Sequence, residues 1–200
     1  MTTLNSNFII SKDIFDKCSQ FAKDSVSTSS DKYARRNQFD IGKIIKDIRN
    51  GKIAEEVVYN QVVSVIPSLT PPDYNIYDKK DKSWAPDLKD STSDLRLAVK
   101  SQDIESEQCY ERSWVFQFGN GKKYDCDTGI FGENLDNNHY VSFVSLNVPK
   151  KTGIIRAIVK VKWLHENKLF KEMKKQSLRG NKVAVYYEDL ERFNDQLWQL

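Results

Sequence analysis

The chain has 200 residues, of which 39% are hydrophobic and 30% charged, ordinary values for a globular protein that buries one core in a single domain. Its net charge of +3, from 31 Lys and Arg against 28 Asp and Glu, is too mild to mark a nucleic-acid-binding surface by itself. No run of about 18 apolar residues is present, so no membrane-spanning helix is expected. The apolar stretch Phe8 to Ile10 is too short for the core of a signal peptide, and a cytoplasmic location is expected.

The first helix is expected over about residues 11–24, followed by a Ser-rich polar connector from Asp24 to Asp31. From Phe39 to Val65 the pattern is helical, with an interruption at Asn50-Gly51. Ile41, Ile44, Ile45 and Ile48 recur at helical spacing, and Ala54, Val57, Val58, Val62 and Val65 resume it. Pro67, Pro71 and Pro72 end this region, because proline lacks the N–H that a helix needs.

Beyond the prolines the periodicity moves toward two. Strands are expected at Asn75–Tyr77, Trp84–Leu88, Leu95–Ser101, Ser113–Phe118, Tyr140–Val148, Ile154–Trp163 and Val183–Tyr187. The β-branched run from Ile154 to Val161 suits a central strand covered on both faces. A helix at about 164–177 and a short one after Glu188 complete the pattern. The expected fold class is α/β: one domain over 1–200, with a mixed central β-sheet flanked by helices. Within it, residues 1–50 read as a helical N-terminal extension, 51–165 as the core and 166–200 as a helix–strand–helix ending.

Cys18, Cys109 and Cys126 show no CxxC spacing, and His139 and His165 bring no partner arrangement. Reduced thiols are therefore expected rather than a zinc site, which requires four tightly paired ligands.

The segment with chemical content is Trp84-Ala85-Pro86-Asp87-Leu88, a polar turn Lys89 to Asp94, and then Leu95-Arg96-Leu97-Ala98-Val99-Lys100-Ser101-Gln102. It reads as a β-hairpin. With the turn centred near Thr92 and Ser93, Asp87 falls opposite Ala98 and Lys100 opposite Ala85. A carboxylate able to anchor a divalent cation then lies beside an ammonium, a minimal apparatus for hydrolysing a phosphodiester.

Pro86-Asp87 followed by an apolar strand ending in Val99-Lys100 resembles the PD-(D/E)xK nuclease superfamily, which includes most type II restriction enzymes. The helix carrying Glu55 in Gly51-Lys52-Ile53-Ala54-Glu55-Glu56-Val57-Val58 is similar to that family's first core helix, and the resemblance covers roughly residues 50–163. It implies a restriction-endonuclease-like fold, magnesium as cofactor, double-stranded DNA as substrate and a homodimer that cuts both strands. Asp87, Lys100, Glu55 and Gln102 are the expected catalytic residues, with Gln102 helping to hold the attacking water or the metal's hydration shell. A phage or mobile-element nuclease of the same fold and a catalytically inactive DNA-binding relative are the alternatives.

The chain departs from the family where an acidic residue precedes the lysine by two positions, since Ala98 stands there. A replacement carboxylate is expected from elsewhere. Asp94 is excluded, because six strand residues place it roughly 20 Å from Lys100. Glu55 lies on the helix stripe with Gly51, Val58 and Val62 and is the favoured second metal ligand beside Asp87. Glu56, on a face that reads as solvated, is a reserve, and Glu105, Glu107 and Glu111 form a third source. For DNA contact the candidates are Arg35 and Arg36 near the first helix and Lys122 and Lys123 in the polar loop Gly119 to Asn138. The Lys-rich stretch from Lys160 to Lys182 is either a solvated face or a further phosphate-contacting surface.

Overall fold

A computed structural model of the chain describes residues 7–35, 39–77, 86–118, 128–131 and 137–200. In chain order the elements begin with β1 (Phe8–Ile9), α1 (Lys12–Arg35) and α2 (Ile41–Val62). The hairpin β2 (Leu88–Lys89) and β3 (Arg96–Asp103) leads into α3 (Ile104–Tyr110), β4 (Ser113–Gln117) and α4 (Thr128–Phe131). Then come β5 (His139–Asn147), β6 (Thr152–Lys160), α5 (Val161–Glu166), β7 (Lys171–Glu172), β8 (Lys182–Tyr186) and α6 (Tyr187–Glu191).

The strands form two sheets. A five-stranded mixed sheet has the order β1-β6-β5-β3-β2, and a three-stranded sheet has the order β4-β8-β7. β3 runs parallel to β5, and β5 pairs antiparallel with β6. The large sheet separates two cores. On one face, Ile53, Ala54, Val57, Val58 and Val62 of α2 pack against Leu88, Leu97, Val144, Leu146 and Ile155. On the other, Phe143, Ala157 and Val159 pack against Trp114, Phe116 and Val185 of the small sheet. β6 serves both cores, as expected for a β-branched strand covered on two sides.

α2 begins at Asp40, whose side chain accepts from the Lys43 N–H, and runs on without a break through Asn50 and Gly51. The expected interruption is absent. A glycine inside a helix costs only about 1 kcal/mol, and the buried apolar stripe on either side outweighs it. At Gly153 the absence of a side chain is structural: a Cβ would stand 2.7 Å from Val57 Cγ2, so glycine lets α2 lie close upon β6.

Other elements also differ from the pattern reading. α1 extends through the Ser-rich segment to Arg35, and Asn75–Tyr77 is not a strand. Residues 161–163 belong to α5 rather than to the preceding strand. The helix expected at 164–177 is replaced by the short α5, by β7 and by a single 3-10 turn at Gln176–Leu178. α5 stops at Asn167, and Lys168 takes the left-handed conformation with φ 53°. Leu169, Phe170 and Met173 then turn inward, and the Phe170 ring lies 5.2 Å from that of Phe116. No helix among the described residues is long and apolar enough to cross a membrane.

Candidate active site at the edge of β3

The hairpin forms in the expected register. Leu88 pairs with Leu97 and Lys89 with Arg96, a register that, carried one residue beyond β2, points Asp87 toward Ala98. Trp84 and Ala85, expected to continue the strand and to set Ala85 opposite Lys100, lie outside the described residues. Its turn is held by Asp90, whose carboxylate accepts from the Thr92 N–H at 3.0 Å and from the Ser93 hydroxyl at 2.6 Å. Hydroxyls of Ser68, Ser93 and Thr92, with the Thr92 N–H, hold Asp90 below the usual carboxylate range.

Pro86 defines the site. Continuing the ladder beyond Leu88 would require an N–H at position 86, which proline lacks. β2 begins only at Leu88, the Val99 carbonyl finds no donor at Pro86, and the Val99 N–H donates to the Asp87 side chain, with Oδ2 accepting at 2.7 Å. The Asp87 carboxylate is thereby fixed at the edge of β3, and the residue is exposed.

Glu55 approaches the same place from α2. It is buried, with 8% of its surface exposed, and accepts from Lys52 Nζ at 2.6 Å. Burial first, and then the negative charge of Asp87, push its carboxyl up to about 8, against the pull of Lys52. Two carboxylates from segments far apart in the chain thus share one electrostatic neighbourhood. Lys52 is committed in other directions too: it donates to the Asp73 carbonyl at 2.9 Å and lies 5.1 Å from the Phe21 ring centre.

Lys100 lies on the other face of the sheet. Leu97 and Val99 point into the α2 core, whereas Ala98 packs on the opposite core and Lys100 Nζ stands 5.0 Å from the Phe116 ring centre. Asp87 is bound to the edge at Val99 and its charge is felt by Glu55 on the α2 side, whereas Lys100 points to Phe116 on the other face.

The remaining candidates fall elsewhere. Gln102 is a tie between strands: its Oε1 accepts from the Ser113 N–H at 2.8 Å and its Nε2 donates to the Glu111 carbonyl at 2.7 Å. Both ends of the amide are engaged by backbone, so the structure does not bring it to the Asp87 edge. Glu56 is buried rather than solvated, because Tyr74 and α1 cover it. It accepts from Tyr74 Oη at 2.8 Å, Lys17 Nζ at 3.2 Å and Asn60 Nδ2 at 3.2 Å. Glu105 pairs with Lys46, Glu107 accepts twice from Arg112, and Glu111 pairs with Lys174. Arg35 closes α1, while Arg36, Lys122 and Lys123 lie outside the described residues.

Pattern reading missed α3, although Asp103 accepting from the Ser106 N–H, with Glu105 and Glu107 in the first turn, is a recognisable helix start. Among the described residues no group of three or more His, Cys, Asp or Glu side chains gathers as a metal cage. Asp87 and Glu55 offer two hard oxygen donors, the number that magnesium commonly takes from a protein when substrate phosphate and water complete its shell. No family model, no curated protein and no solved structure matches the chain.

Proposed function

We propose that this protein is a magnesium-dependent nuclease acting on double-stranded DNA, with its reactive centre at the edge of β3. One observation carries the reading: Asp87, held at that edge by the Val99 N–H, stands within electrostatic reach of the buried Glu55. A buried carboxyl beside a second carboxylate is unfavourable unless a proton or a cation lies between them. A divalent cation satisfies both groups.

In this reading Asp87 and Glu55 hold the metal, and Lys52 orients Glu55 through their contact. When bound, magnesium supplies a Lewis acid for the phosphate and a water of lowered pKa. The reading assigns Lys100, whose ammonium rests against Phe116 on the opposite face of β3, to positioning the attacking water and offsetting the charge that develops on the phosphate. Ala98 leaves room opposite Asp87 where the resembled family carries an acid, and Glu55 takes over that acid's role. Type II restriction is the biological role we assign, and a homodimer provides the two cuts of a duplex.

The test is nicking of supercoiled plasmid with and without magnesium by the wild type, Asp87→Ala and Lys100→Ala. Magnesium-dependent nicking lost in both variants supports the proposal, whereas nicking that neither substitution changes contradicts the site. The second reading is a DNA-binding relative without catalysis. The Lys52–Glu55 ion pair favours it, because Lys52 already supplies Glu55 with a counter-charge. Duplex binding with no cleavage under any divalent metal would select it.

A further inference from the structure

A cavity of about 200 Å³ opens at the far end of β3, lined by Phe15 of α1, Lys46 and Arg49 of α2, Asp103, and the β5–β6 turn at Val148 and Lys151. Its charges are unevenly paired. Asp103 and Glu105 both pair with Lys46, at 3.1 Å and 2.5 Å. Held by Glu105 and then Asp103, Lys46 titrates above the usual lysine range despite partial burial.

Among the described residues no carboxylate pairs with Arg49. Its Nε and Nη2 donate to the neutral Asn50 Oδ1 at 3.3 Å and 3.2 Å, and the guanidinium lies 5.0 Å from the Phe15 ring centre. Asn50 in turn donates to Asp103 Oδ2 at 3.2 Å, which fixes the acceptor that orients the arginine. Lys151, left-handed at φ 51° in the tight turn, adds a second cation at the rim, again with no ion pair among the described residues. The cavity therefore presents a preoriented guanidinium and an ammonium above a partly apolar floor, while its two acids are occupied by Lys46. That is the chemistry of a phosphate receptor: a planar donor fork plus a point charge.

Its position gives the receptor a use. α2 runs from Arg49 to Glu55, six residues or roughly 9 Å. β3 runs back from Asp103 to Val99, four residues or roughly 13 Å. The cavity thus lies along the same helix and strand as the Asp87–Glu55 edge. A separation of roughly 9 to 13 Å corresponds to about three to four steps of axial rise along one DNA strand, at about 3.4 Å each. We propose that the Arg49–Lys151 cavity is a phosphate-binding subsite that anchors the backbone of the same nucleic-acid strand a few nucleotides from the bond to be cut. The backbone assignment rests on the nuclease reading above, whereas the phosphate site itself does not.

The experiment uses the whole chain, with inorganic phosphate and a short DNA duplex as separate probes. Phosphate is titrated into wild type, Arg49→Gln/Lys151→Gln and Arg49→Lys, following amide shifts by NMR. Duplex affinity is then measured from low to moderate salt without magnesium. Phosphate is expected to shift residues around Lys46, Arg49 and Lys151, and the double variant to bind about tenfold more weakly or worse. In the double variant one phosphate is no longer neutralised, so the slope of log affinity against log salt should fall by about 0.9. In Arg49→Lys, which keeps the charge, the slope should stay near that of wild type.

No phosphate response in a folded wild type overturns the site. Phosphate binding with an unchanged duplex slope overturns the backbone assignment and leaves a free phosphate as the ligand. A reduced slope together with plasmid nicking that ignores Asp87→Ala supports the subsite while refuting the nuclease centre, so the two claims fail separately.

Discussion

Glu55 and Glu56 are consecutive residues of α2, and both are buried, at 8% and 7% exposed. Their surroundings differ. Glu56 receives a phenol, an ammonium and an amide, from Tyr74, Lys17 and Asn60, and it binds α1 and the 73–77 segment to the helix. Glu55 receives Lys52, its one donor among the described side chains, and faces the negative charge of Asp87. A rotation of about 100° around the helix separates a carboxylate closed in by donors from one left with a charge to share. Burial of an acid is thus no mark of a site by itself; what decides is whether its acceptors are filled. The same distinction separates the Glu56 region, a structural joint, from the β3 edge, where a cation would relieve the repulsion between two acids.

The sharpest break in this comparison is functional. Asp87→Ala and Lys100→Ala are each expected to lower magnesium-dependent plasmid nicking by about a hundredfold or more, checked at equal folded fraction by circular dichroism. Next in size is stability. Glu56→Gln leaves Lys17 and Tyr74 without their charged acceptor and is expected to cost about 2 kcal/mol in urea unfolding. Glu55→Gln keeps an oxygen for Lys52 and removes the repulsion from Asp87, so it should cost no more than about 1 kcal/mol at acid pH and become stabilising as pH rises. Equal losses in the two variants would erase the distinction.

The raised Glu55 carboxyl also makes stability depend on pH. Unfolded, it ionises near the ordinary value of 4.5; folded, it holds its proton up to about 8. Between those values the native state binds the extra proton, so the contribution to stability is present below about 4.5 and is lost as pH rises toward about 8. The slope is at most about 1.4 kcal/mol per pH unit. Wild type should therefore lose stability relative to Glu55→Gln across this window, and Asp87→Asn should narrow the window. A difference between wild type and Glu55→Gln that does not vary with pH would contradict the assignment.

The smallest effect tests how well the Glu56 side is sealed. The Cys18 thiol lies 3.3 Å from Tyr74 Oη, and burial pushes it up to about 11. Alkylation near pH 8, followed by peptide mass mapping, should modify the exposed Cys109 quickly and Cys18 only on unfolding. Prompt labelling of Cys18 would show that this region opens.

Much of the β3 edge was legible in the sequence, because a period of two and a polar turn fix a hairpin register. Asp87 opposite Ala98 follows from those alone, and the observed pairing of Leu88 with Leu97 agrees. Glu55 was legible as a carboxylate on an apolar stripe, whereas the burial of Glu56 was not, since its cover comes from Tyr74 and α1, distant in the chain. The face of Lys100 was also available from the pleat: Leu97 and Val99 face α2, so Lys100 faces away. The 164–177 region misled because its lysines suit a helix, while the inward turn of Leu169, Phe170 and Met173 depends on cores built by other strands. The second sheet stayed hidden for a related reason: strand partners are set by tertiary contacts that periodicity does not encode.

The central claim is that Glu55 is the acid that completes the Asp87 edge and that its neighbour Glu56 is not. The direct measurement is the rate of magnesium-dependent plasmid nicking by Glu55→Gln and Glu56→Gln, each at a temperature where it is fully folded. Loss of nicking in Glu55→Gln with near wild-type rates in Glu56→Gln is the predicted result. Equal rates in the two variants, or loss confined to Glu56→Gln, would contradict it.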